Sequence, residues 1–172
     1  MKETDRSIRG RQNRILGNYF ESMIESSLEW YKDNMIAFIE KTPEAMRPIS
    51  APNARGQFLA CYTKAAQPDF KGTFCGGRNV VFDAKHTDAD RIEYKAVTKD
   101  QRDSLELHHN LGALSFVLVS FGLQEFFRIP WPVFRDMKAT YGRQYIRRDE
   151  LGHYKVPTSG TLIKLLHETK GA

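Results

Sequence analysis

Residues 68–87 read PDFKGTFCGGRNVVFDAKHT, and the fold turns on how this stretch is read. Asn79-Val80-Val81-Phe82 is a strand-like run that follows Gly76-Gly77 and leads directly into Asp83-Ala84-Lys85. Side chains alternate along a strand, so Asp83 and Lys85 share a face with Val81, while Phe82 and Ala84 point into packing. An acid and a base at the mouth of an apolar strand are costly to desolvate unless they are paired or bind something. A solvated strand end with a surface ion pair is one reading. Metal-assisted phosphodiester hydrolysis is the other. Carboxylate oxygens suit Mg²⁺, which typically takes one or two protein carboxylates, and a neighbouring lysine can stabilise charge developing on the phosphorus. The Gly-containing turn 71–77 would bring Asp69 alongside as the second carboxylate. Glu21, on the first helix, is a candidate third acid, and Gln101 is a candidate either to contribute a neutral oxygen or to hold a metal-bound water. The spacing PD-x13-D-x-K is a weak signal alone. It gains weight from the Gly-rich turn, the strand into D-x-K, the helix that follows and the basic chain.

The 172 residues suit one domain with a real core. Twenty-six Lys and Arg against 21 Asp and Glu give a net charge of +5, compatible with a polyanionic partner. Cys61 and Cys75 offer no disulfide framework and no CxxC pair, so reduced thiols in a cytoplasm are the simpler expectation. No apolar run approaches the ~18 residues of a membrane span, and the polar opening MKETDRSIRGRQNR has no secretory h-region.

Outward from the central stretch, residues 1–14 read as a basic, flexible arm carrying Arg9, Arg11 and Arg14, with a single domain over 15–172. Leu16, Phe20, Met23, Ile24, Leu28 and Tyr31 fall at helical spacing, which predicts a helix over about 13–33. MIAFIEK (35–41) reads as a buried strand. The Pro-rich stretch 43–67, with Arg47 and Arg55, suits a projecting basic element or a surface loop, and QFLACYT (57–63) inside it an edge strand or hairpin arm. A helix is expected over 98–111, with Leu105, Leu107 and Leu111 inward. GALSFVLVSFG (112–122) should be a central strand, apolar on both faces. LQEFFRI (123–129) pairs with it as a hairpin, Trp131–Tyr141 forms a short helix, and 159–170 a closing amphipathic helix. Between the last two, YGRQYIRRDELGHYK is basic, aromatic and loop-like; there Arg143, Arg147 and Arg148 interleave with Tyr141 and Tyr145, as on a nucleic-acid surface or a solvated loop. The order gives a mixed α/β domain around one sheet. His108-His109 is no metal pair, because neighbours on a helix face different ways, and Ser120 with His and Asp forms no recognisable nucleophile motif.

Four stretches together resemble the RecU-type Holliday junction resolvases of the PD-(D/E)xK nuclease superfamily: 13–49, PDFKG…GRNVVFDAKHT, DQRDSLELHHNLGALSFVLVSF (100–121) and GRQYIRRDEL (142–151). The resemblance implies a restriction-endonuclease-like α/β core, with a mixed central sheet flanked by helices and residues 43–67 as a protruding Pro-rich stalk. It implies that Asp69 and Asp83 bind Mg²⁺, with Mn²⁺ able to substitute. Lys85 would be the catalytic lysine, Gln101 an accessory metal-shell residue, and Glu21 a further acid. Arg9, Arg11, Arg14, Arg55, Lys71, Arg143, Arg147 and Arg148 become candidate DNA contacts. The implied activity is resolution of four-way junctions by paired symmetric nicks in recombination and repair, by a cytoplasmic homodimer with no membrane partner. Other PD-(D/E)xK cleavage, of linear or damaged duplex, and non-catalytic DNA binding are the rival functions. The chain departs from the family in having Asp at position 83 where Glu is usual, Gln67 where Thr is expected, and one extra residue in the turn. Its short arm and stalk suggest a compact, phage-type variant.

Overall fold

The computed structural model describes residues 2–43, 46–62 and 67–166, with side chains for 10–43, 46–61 and 67–166. In chain order the elements are α1 (Lys2–Asp33), β1 (Ala37–Lys41), β2 (Met46–Pro48), β3 (Ala60–Tyr62), β4 (Phe70–Phe74), β5 (Asn79–Thr87) and β6 (Arg91–Glu93). A 3₁₀ turn (Tyr94–Ala96) leads into α2 (Lys99–Asn110), β7 (Leu114–Phe121), β8 (Glu125–Pro130), α3 (Trp131–Arg135), α4 (Met137–Tyr141) and β9 (Tyr145–Arg147). A 3₁₀ helix (Arg148–Tyr154) precedes β10 (Thr158–Ser159) and β11 (Leu162–Ile163).

One five-stranded sheet, in the order β1-β4-β5-β7-β8, organises these elements. β5 and β7 run parallel and the other neighbours antiparallel. Parallel neighbours need a crossover, and the chain between β5 and β7 supplies it through β6, the 3₁₀ turn and α2. β7 is buried along nearly its whole length, as its continuous apolar run requires.

Register is fixed by an aromatic ladder. Phe70, Phe82 and Phe116 are cross-strand partners on β4, β5 and β7, and their rings stack with centroids 4.8 and 4.6 Å apart. The ladder sits in a core completed by Phe20, Ile24, Leu28 and Tyr31 of α1. A slip of one residue would turn the phenylalanines out and their neighbours in. The pinned register therefore also fixes what lies on the opposite face, where Val81 and Val117 pack with Leu105 of α2 and with Trp131, Phe134 and Met137.

Several expectations change. The segment read as a separate basic arm is continuous with α1, which begins at Lys2. Leu107 and Leu111 are exposed, and only Leu105 of the three leucines is buried; α2 is half-covered, so one stripe suffices. The single helix over Trp131–Tyr141 is broken at Asp136 into α3 and α4. The closing helix is replaced, up to residue 166, by the β10–β11 hairpin turning on Gly160 at φ +61°, and its remainder lies outside the described residues. The "loop-like" basic segment contains β9, paired with β6. In the Pro-rich stretch, β2 and β3 form a separate two-stranded hairpin with every residue from 46 to 60 exposed. Asn53 Oδ1 accepts the N–H groups of Arg55 and Gln57 and closes the loop between its strands, where Arg55 sits.

Candidate active site

The site forms where the β4–β5 ladder ends. Its last paired residues are Phe70 and Phe82, so beyond them the β5 N–H groups on the β4 side lose their strand partners and need others, while the other side stays paired with β7. Asp69, just ahead of β4, provides one: its Oδ2 accepts the Ala84 N–H at 2.9 Å. The Asp69 carbonyl is held in turn by the Thr42 N–H at 2.8 Å, just past β1. Three strands of the sheet thus fix one carboxylate.

Asp83 lies on the next strand with its side chain fully buried, and Lys85 is on the same face. Lys85 Nζ is 2.6 Å from Asp83 Oδ2 and 3.7 Å from Asp69 Oδ2. From α2, Gln101 Nε2 donates to Asp83 Oδ1 at 2.6 Å and approaches Asp69 Oδ1 at 3.4 Å. The opposite end of that amide is fixed by a capping box, with Thr98 N–H and Oγ1–H donating to Gln101 Oε1 at 3.1 and 3.0 Å. This T-x-x-Q signature was legible in Thr98-Lys99-Asp100-Gln101, and it is the cue that sequence reasoning missed. Gln101 therefore turns its N–H, rather than its oxygen, toward the acids. In this arrangement it positions the carboxylates, and its oxygen, one of the two roles expected of it, faces Thr98.

Electrostatics follow from burial. Desolvation pushes the Asp83 carboxyl up to about 7, against the pull of Lys85 and with a further push from Asp69. Burial also works against the Lys85 charge, but Asp83 and Asp69 outweigh it and hold the ammonium above the ordinary lysine value. Asp83 Oδ2 faces the Lys85 ammonium at 2.6 Å and has no other donor among the described residues.

Glu21 makes its ion pair outside this group. Its carboxylate is 2.6 Å from Lys41 Nζ, at the end of β1, and among the described residues no three His, Cys, Asp or Glu side chains are grouped to hold a metal. His86, next to Lys85, joins an unexpected line. Its Nδ1 is 3.3 Å from Ser120 Oγ and its Nε2 3.3 Å from Asp88 Oδ1. Ser120 is fully buried and accepts the Leu123 N–H, so the trio braces the turn after β7 and presents no nucleophile.

The candidate DNA contacts divide. Arg11 and Arg14 are exposed on α1, and Arg55 and Arg147 are exposed as well; the Arg9 side chain lies outside the described residues. Lys71 Nζ donates to Gln67 Oε1 at 2.7 Å. Arg148 is 3.4 Å from Glu125. Arg143 is committed to structure: it pairs with Glu150 and lies over the Tyr145 ring, 4.8 Å from its centroid.

Comparison with known proteins supplies the family. The chain matches the family model described as RecU, Recombination protein U, over residues 15–168. The chain belongs to the RecU family. RecU proteins are Holliday junction resolvases, nucleases that hydrolyse phosphodiester bonds in recombination and repair, and this RecU chain is an enzyme of that class. No curated protein sequence matches it detectably. Among solved structures it is similar to Archaeoglobus fulgidus Hjc, a Holliday junction resolvase from an archaeal hyperthermophile. The TM-score is 0.50 at 12% identity, covering 78% of this chain and 91% of that one. At that identity the likeness speaks to fold alone, and the fold is the restriction-endonuclease-like α/β core. No helix among the described residues is long and apolar enough to cross a membrane.

Proposed function

We propose that this RecU protein is a Mg²⁺-dependent endonuclease that resolves four-way DNA junctions by paired symmetric nicks, in the cytoplasm, as a two-fold homodimer. One observation carries the chemistry: Asp69, Asp83 and Lys85 converge at the end of the β4–β5 ladder, with Gln101 bracing both acids. The donor set fits a hard divalent cation. It offers two carboxylates and no soft ligand, as Mg²⁺ prefers, and the buried Asp83 Oδ2, whose one partner among the described residues is the Lys85 ammonium, is the acceptor a cation would use. Asp69 and Asp83 would hold the ion, and Mn²⁺ would substitute. When bound it supplies Lewis-acid polarisation of the scissile phosphoryl group.

The protein's own groups do the rest. Lys85, charged and partly exposed, holds an ammonium where negative charge develops on the phosphate oxygens and donates hydrogen bonds that orient the attacking water. Gln101 holds the Oδ1 atoms of the two carboxylates while their Oδ2 atoms face Lys85. Paired nicks require two such sites related by a two-fold axis, which a homodimer provides. The exposed β2–β3 hairpin, with Arg55 in its loop, is the stalk of this reading, and Arg11, Arg14 and Arg147 contribute phosphate contacts that recognise junction shape rather than sequence.

The test compares an immobile four-way junction with a linear duplex of the same sequence, in Mg²⁺ and in EDTA at one salt concentration. Symmetric junction nicks that vanish in EDTA and in Asp83→Asn, with junction binding retained, support the reading. Cutting of both substrates would discard junction selectivity, and binding without cutting would leave a DNA-binding protein.

A further inference from the structure

Beyond Lys85 the chain forms a cleft of about 690 Å³ that the chemistry above does not use. Its walls come from the end of β5, the turn after it, β6 and the following 3₁₀ turn. Lys85 is among its lining residues, so an occupant of the cleft would lie beside the group that the endonuclease reading places at the phosphate. Ala89 and Ala96, with the edge of the almost wholly buried Ile92 behind them, contribute apolar surface. Arg91 and Lys95 bring positive charge, both tethered by Glu93 at 3.3 and 2.7 Å. The Arg91 guanidinium also lies over the Tyr145 ring, 4.8 Å from its centroid, so β6 and β9 hold it in place.

A surface that only tracked the DNA backbone would need cations and nothing more. This cleft adds an apolar wall suited to the face of a base, a volume in the range of nucleotide-sized ligands and carboxylates at Asp90 and Glu93. A carboxylate repels phosphate but accepts hydrogen bonds from an exocyclic amine, as in the pairing of Asp or Glu with cytosine N4. Resting on the endonuclease reading, we propose that this cleft receives the nucleotide beside the scissile phosphate, unstacked from its neighbours, and prefers an amino-bearing base there. The cleft, rather than the junction-shaped surface, then sets the sequence preference at the cut.

The experiment maps the cut on a junction with the full chain and places 2-aminopurine at each flanking nucleotide in turn. Fluorescence is read on binding in EDTA. A rise of about three-fold or more at one flank is expected, as unstacking relieves quenching. Ala89→Leu, an exposed substitution on the cleft wall, should abolish the rise while junction affinity stays within two-fold. In Mg²⁺ the wild type should cut junctions bearing cytosine or adenine at that flank at least ten-fold faster than those bearing thymine, and Ala89→Leu should reduce this to under two-fold. Cutting with no rise at either flank, or with an equal rise and preference in Ala89→Leu, overturns the cleft assignment and leaves the nuclease reading intact. Failure to cut any junction overturns both.

Discussion

Gln101 Nε2 donates to Asp83 Oδ1 across 2.6 Å, tying the first turn of α2 to the middle of β5. The contact joins two elements 18 residues apart in the chain and aims an N–H at a buried carboxylate. Without it, Asp83 would keep Lys85 as its charged neighbour and lose the donor on its other oxygen.

Gln101→Leu should therefore destabilise the metal-free protein by about 1–3 kcal/mol, the usual effect of stranding a buried acceptor. It should slow cleavage and leave junction affinity nearly unchanged. Urea melts in EDTA with single-turnover cleavage would check this; unchanged stability would show that the amide is dispensable to the fold.

The raised Asp83 carboxyl makes stability depend on pH. Its folded value is about 7 against an ordinary value of 3.8, so the native state binds this proton more tightly than the unfolded chain does. The corresponding stability is fully present below about pH 4 and is lost as pH rises through 7. Lys85 stays charged across this window and adds no slope. In EDTA, Asp83→Asn should thus gain on the wild type by roughly 2–4 kcal/mol between pH 4 and pH 8. Mg²⁺ at pH 8 should raise the wild-type Tm and leave that of the variant unmoved. A pH-independent difference between the two proteins would refute the buried-acid account.

Lys85→Ala should slow cleavage by roughly 100-fold or more while junction Kd changes less than about three-fold, because the ammonium acts on charge that develops during the reaction. Single-turnover rates beside binding isotherms separate the two effects. Near-wild-type turnover would demote Lys85 to a structural ion pair.

Gly72, in the middle of β4, leaves no room for a side chain. A Cβ there would lie 2.0 Å from the Phe38 carbonyl oxygen and 2.4 Å from Ile39 Cα on β1. Gly72→Ala should cost about 3 kcal/mol or more, or prevent folding, since backbone rather than a movable side chain must give way. Circular dichroism and urea melts would read this; a loss under 1 kcal/mol would mean that β1 can shift without cost.

The strand into D-x-K was legible because alternation alone puts Asp83 and Lys85 on one face, and the structure keeps them there. The central strand and its hairpin were legible from apolar runs too long and too β-branched for a surface. The end of the chain misled for a physical reason. Leu162, Leu165 and Leu166 have helical spacing, yet Thr158-Ser159-Gly160-Thr161 is turn chemistry, and Gly160 at positive φ makes the hairpin. Leu107 and Leu111 were assigned inward because spacing cannot show how wide a helix stripe its neighbours cover. The orientation of Gln101 was set by Thr98, a local contact whose signature was present but unread. Glu21 was placed among the acids by its position on the helix, and its Lys41 partner comes from a strand 20 residues away.

Two hydrogen bonds described by no motif close the molecule. Ser27 Oγ accepts the Ile163 N–H, and the Tyr31 hydroxyl accepts the Leu166 N–H, across separations of 136 and 135 residues. Synthesis on the ribosome proceeds in one direction, so these two contacts of α1 form only once those late residues are made, and until then Ser27 Oγ has its bond to the Met23 carbonyl within the helix. A nascent chain halted before residue 162 would already carry every residue of the acid–lysine cluster, but on a sheet whose covering helix is not yet latched. The two contacts make the latching of α1 onto the sheet depend on residues that follow the whole acid–lysine cluster in the chain.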